Sequence, residues 1–90
     1  MGEGRSASGL RLPRDLSGAE LARLLRRYGY EVSRQTGSHR RLTSTMMGTE
    51  HRVTIPAHKD LRLGTLGSIL SNVADYLNKD RENLADELFG

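Results

Sequence analysis

Between two stretches of helical periodicity this chain carries three short runs in which apolar and polar residues alternate, and each run stops at a glycine or proline. Alternation with a period of two calls for a sheet with one buried and one open face. Tyr30 and Val32 alternate with Glu31 and Ser33, Thr36-Gly37 breaks the chain before a second run over Arg40 to Ser44, and Met47-Gly48 breaks it again. The third run, about His51 to Ile55, sets Val53 and Ile55 against Arg52 and Thr54 until Pro56 closes it, because proline cannot donate to a ladder. The short breaks read as hairpins, so a three-stranded antiparallel meander is expected.

The flanking stretches read as helices. Ser17 and Glu20 are spaced as a capping box, with Leu16 and Leu21 placed as the hydrophobic staple around it. Leu21, Leu24, Leu25 and Tyr28 then recur as a buried stripe, Arg23, Arg26 and Arg27 lie off it, and Gly29 supplies the stop. A loop with His58, Lys59, Asp60 and Arg62 leads to a second helix, with Gly64-Thr65 near its start and Leu66, Ile69, Leu70 and Val73 on its buried face. A third, short helix starts near Asp80. Leu84, Leu88 and Phe89, preceded by Leu77, give it an apolar edge that must pack on the body, on another copy or on a different protein. The expected fold is α+β, in the order α-β-β-β-α, with both helices on one face of the sheet and a short C-terminal helix appended.

Ninety residues make one small domain. Residues 1–9 are rich in glycine and serine and poor in apolar groups, so residues 1–14 are read as a disordered leader, 15–74 as the body and 75–90 as an acidic extension. The net charge of +3 hides an asymmetry, since 12 of the 14 basic residues precede residue 75 while 5 of the 11 acidic ones lie within residues 75–90. Nearly all the basic residues are arginine, whose planar fork of donors matches phosphate oxygens, so a polyanion is the natural partner of the body. The absence of cysteine removes disulfides, thiolate chemistry and thiol-bound zinc, and fits a reducing cytoplasm. No stretch approaches a membrane span, and no secretion signal is evident.

Strand parity locates the chemistry. Leu42 marks the inner face of the second strand, so His39, Arg41 and Thr43 point outward, and by the same rule Arg52 and Thr54 point outward beside them. A bulge at Gly37-Ser38 would reset this parity and turn Arg40 outward in place of His39. The open face thus combines an imidazole with guanidiniums and hydroxyls. Imidazole is suited to take the proton of a ribose 2′-hydroxyl, and arginines to hold the phosphate which that hydroxyl attacks. Ser38 reads as a turn or cap hydroxyl, because no second base stands near it in sequence. Of the other histidines, His51 shares the parity of Val53 and Ile55 and reads as structural, while His58 in its loop is the candidate second proton-transfer group. The irregular histidine spacing and the lack of a paired carboxylate cluster point to no metal or other cofactor.

Several segments, taken in order, resemble the HicA-type mRNA interferase toxins of toxin–antitoxin pairs. They are Ser17 to Leu21, Tyr28-Gly29-Tyr30, Arg34 to His39, Val53 to Pro56, and Leu63 to Leu66 with Ser68 to Leu70, covering roughly residues 16 to 73. The resemblance implies a fold like a double-stranded-RNA-binding domain, metal-independent cleavage of mRNA, and a catalytic histidine in the Gly-Ser-His motif, here His39. It also implies a HicB-type antitoxin that covers the basic face, and a role in stress response. Members often place a second histidine directly after the first; this chain has Arg40 there, so no role passes to that position.

The reading is therefore an endoribonuclease acting through His39, with His58 as helper and with Ser38, Arg40, Arg41 and Arg52 contacting RNA. Two others stay open. One is a non-catalytic RNA-binding module of the same shape, although such modules usually carry a lysine cluster where this chain has Leu63 to Ser68. The other is a binding scaffold whose acidic tail recruits a partner or supports self-association.

Overall fold

The computed structural model describes residues 12–90, so the first eleven residues of the expected leader lie outside the described residues. Leu12 already packs against the core, which places the start of the folded body ahead of residue 15. The elements are α1 (Gly18–Leu25), extended by a 3-10 turn over Arg26–Tyr28, β1 (Glu31–Thr36), β2 (His39–Ser44), β3 (His51–Pro56), α2 (Leu63–Leu77) and α3 (Arg81–Phe89). This is the α-β-β-β-α order read from the sequence, with the third helix present.

The start of α1 forms as its sequence dictates. The Glu20 N–H donates to the Ser17 hydroxyl at 3.0 Å, and the Ser17 N–H donates to the Glu20 carboxylate at 3.0 Å. These bonds hold the Glu20 carboxyl below its ordinary pKa, aided by Arg23. Both staple residues, Leu16 and Leu21, are buried. Gly29 ends the segment at φ 81°, a left-handed conformation that glycine adopts without strain.

The strands form one antiparallel sheet in the order β1-β2-β3. The β1–β2 hairpin turns on Gly37-Ser38, with φ 52° at Gly37, where a two-residue loop of this kind wants glycine. Leu42, Val53 and Ile55 face inward and join Leu21, Leu25, Leu66, Leu70 and Val73 in a single core. Each fully buried leucine contributes about 1.5–3 kcal/mol of transfer free energy. One polar side chain is buried among them: the Ser44 hydroxyl donates to the Tyr28 carbonyl at 2.7 Å and accepts from the Met46 N–H at 3.2 Å.

The expected boundary at residue 74 falls inside α2, which runs to Leu77 and ends at Asn78 in the left-handed region. The sequence left the partner of α3 open, and the structure packs it on the body. Leu84, Ala85 and Leu88 share the common core. Around that contact the Tyr28 hydroxyl donates to the Glu87 carboxylate, Lys79 Nζ reaches the same carboxylate at 2.7 Å, and Arg27 Nη1 donates to the Glu87 carbonyl at 2.5 Å. The apolar edge is thus covered by the chain itself.

Candidate functional site

Parity places β2 as the sequence required. Arg40, Leu42 and Ser44 turn toward the helices, while His39 and Arg41 are exposed on the opposite face. Gly37-Ser38 forms the hairpin loop without displacing this pattern, because Thr36 pairs with His39 directly across it. The irregularity lies instead in β1. Val32 pairs with Leu42 and Arg34 with Arg41, so two residues advance on β1 while one advances on β2, and Ser33 is the extra residue of a bulge. The Ser33 hydroxyl anchors the bulge, donating to the Arg41 carbonyl at 3.2 Å and lying 2.8 Å from the Thr43 hydroxyl.

The bulge decides which arginines meet the histidine. Regular alternation from Tyr30 and Val32 would turn Arg34 inward; one extra residue turns it outward, opposite Arg41. The open face then carries two cross-strand rows, Thr36–His39–Pro56 and Arg34–Arg41–Thr54. Directly opposed residues sit roughly 4.5–5.5 Å apart at Cβ, and His39 and Arg41 stand roughly 6–7 Å apart along their strand. Arg34, Thr36, His39, Arg41 and Thr54 together line a concavity of about 180 Å³. Arg34 and Thr36 are site residues that sequence reasoning did not select, since a bulge at a serine leaves no glycine signal to read.

The remaining expected residues are distributed around this cleft. Arg40 is on the other face, in a groove between α1 and β1, which separates it from the phosphate site the sequence assigned to it. Arg52 is outward, but it pairs with Glu50 at 2.6 Å and lines a neighbouring concavity of about 530 Å³ between β3 and α2, joined to the cleft through Thr54. Ser38 is exposed in the hairpin loop, and its carbonyl accepts from the Ala57 N–H at 2.6 Å. That bond brings the loop carrying His58 against the hairpin. His58 is exposed, its carbonyl accepts from the Gly18 N–H at 2.9 Å, and it is not among the residues lining the cleft.

His51 is held by aromatic rings. Its Nδ1 is 2.6 Å from the Tyr30 hydroxyl, and its ring stacks on Tyr76 at 4.7 Å and 10°. Burial, with Tyr76 nearby, pushes the Tyr30 phenol well above its ordinary pKa, so it stays protonated. The Tyr76 hydroxyl in turn accepts from the Met47 N–H at 3.0 Å and donates to the Thr49 carbonyl, pinning the β2–β3 loop. This histidine belongs to the packing.

Among the described residues no three His, Cys, Asp or Glu side chains come together as a metal site, and no helix is long and apolar enough to cross a membrane. The cleft can therefore offer an anion two guanidiniums, two hydroxyls and one imidazole. In comparison with known proteins, the family model described as HicA toxin of bacterial toxin–antitoxin matches residues 18–73. No curated protein and no solved structure gives a match.

Proposed function

Because this chain belongs to the HicA family of bacterial toxin–antitoxin toxins, we propose that it is a metal-independent endoribonuclease that cuts mRNA through His39. The observation that carries this reading is the exposure of His39 in one concavity with Arg34 and Arg41. The guanidiniums would hold the scissile phosphate by paired donors and neutralise the charge that grows on it. The imidazole would take the proton of the 2′-hydroxyl, whose oxygen forms a bond to phosphorus while the bond to the 5′-oxygen of the next nucleotide breaks. The products are a cyclic phosphate end and a 5′-hydroxyl end. The leaving oxygen takes up a proton, from the imidazolium itself or from His58 on the adjoining loop. The antitoxin partner that the family implies would be of the HicB type, closing the basic face in the cytoplasm.

The test is incubation of the purified chain with single-stranded RNA in EDTA beside His39→Ala. Metal-free cutting by the parent, reduced about 10²- to 10⁴-fold in the variant while RNA binding persists, supports the reading. One observation favours a second reading: the lining residues of the cleft include no second titratable proton-transfer group of near-neutral type. A non-catalytic RNA-binding module needs none, and binding without cutting by either protein would select it.

A further inference from the structure

We propose that the groove between α1 and β1, on the face opposite His39, is a second phosphate-binding site that holds single-stranded RNA as it continues round the free edge of the sheet. The inference rests on the RNA reading above and adds a site to it. Arg23 of α1 and Arg26 of the 3-10 turn that extends it, about one helical turn apart, converge there with Arg40 from β2 around a concavity of about 470 Å³. Residues three apart on a helix stand about 5–6 Å apart at Cβ, so their forks are placed to grip neighbouring phosphates of one strand.

Three guanidiniums around one groove repel each other, and one carboxylate at its rim, Glu31, leaves an excess of positive charge. The ion pairs among the described residues join Arg52 to Glu50 and Lys79 to Glu87, so none of the three groove arginines is in one. A bound polyanion relieves that repulsion. The groove offers little to a protein partner, since a hot spot wants a large desolvated apolar anchor, and beside the Tyr30 ring it provides two alanines, Ala19 and Ala22, and the half-exposed Val32. Its path to the catalytic cleft is short and open. Every residue of β1 is exposed, β1 is an edge strand, and Arg40 lies between His39 and Arg41 in the chain, on the other side of the sheet.

The experiment compares the full chain carrying His39→Ala, which keeps the RNA whole, with the same chain carrying Arg23→Ala and Arg26→Ala as well. Anisotropy of a labelled single-stranded RNA is followed across a salt series. Loss of two phosphate contacts makes the plot of log affinity against log salt shallower by about 1.4, at about 0.7 per contact for single strands. An unchanged slope would overturn the site, as would failure of the chain with the groove arginines intact to bind RNA. Unchanged RNA binding with lost binding of a poly-glutamate peptide would overturn it too, in favour of an acidic protein. Arg23 and Arg26 are exposed, and matching thermal melts confirm that both chains fold. Cleavage of a dinucleotide, too short to reach the groove, is scored separately with His39 intact. Cutting with an unchanged slope leaves the nuclease and removes the groove, whereas a changed slope without cutting does the reverse.

Discussion

Arg34 and Arg41 stand directly opposite each other across the β1–β2 ladder, two guanidiniums at a position where like charges oppose. Such a pair costs stability by about 0.2–1 kcal/mol relative to a neutral pair, and a bound phosphate converts that cost into attraction. Arg34→Thr is therefore expected to raise the melting temperature slightly while weakening RNA binding and cleavage. Paired melts and cleavage rates check this, and a variant both more stable and fully active would remove Arg34 from the site.

The first turn of α1 touches the end of β3 with no space between them. A Cβ on Gly18 would stand 2.0 Å from the Pro56 carbonyl oxygen, and the Gly18 N–H already donates to the His58 carbonyl. Gly18→Ala forces that backbone apart and is expected to cost about 1–3 kcal/mol or more. Urea denaturation measures it. A neutral result would mean that α1 is not seated on the sheet as described.

Ser44 is the buried polar group that ties β2 to the end of the first helical segment. Ser44→Ala removes the donor to the Tyr28 carbonyl and leaves that acceptor unsatisfied, a loss of about 1–3 kcal/mol. Chemical denaturation at neutral pH gives the number, and cleavage by the folded protein should be unchanged because Ser44 faces away from the cleft.

Lys79 and the Tyr28 hydroxyl hold the Glu87 carboxyl below its ordinary value of 4.5. A depressed carboxylate stabilises the fold above its unfolded pKa, and the contribution fades as pH falls through the lower folded value. Glu87→Gln should therefore be less stable than the parent at neutral pH, with the difference closing below about pH 4.5. Melting temperatures across an acid series test the sign; a gap that widens toward acid contradicts the contact.

His51→Phe separates the two kinds of histidine. It deletes the hydrogen bond to Tyr30 but retains a ring to stack on Tyr76, so it is expected to lower stability by about 0.5–1.5 kcal/mol. Metal-free cleavage per folded molecule should persist, in contrast to His39→Ala. Loss of cutting in folded His51→Phe would bring His51 into the chemistry.

What could be read from the sequence is what depends on neighbours a few residues away. The Ser17–Glu20 capping box, the helical stripe of Leu21 and Leu25, and the outward parity of His39 and Arg41 against inward Leu42 all follow from the periods of helix and strand, which local sterics fix. What needed the assembled chain depends on residues far apart. The bulge at Ser33 exists because β1 must pair with β2 while Val32 opposes Leu42, and that pairing, not the local sequence, turned Arg34 toward Arg41. The docking of α3 rests likewise on Glu87 meeting Tyr28 and Arg27, contacts between opposite ends of the chain that no local period encodes. Periodicity sets which way a side chain points within its own element; only register and packing between elements decide what it meets there.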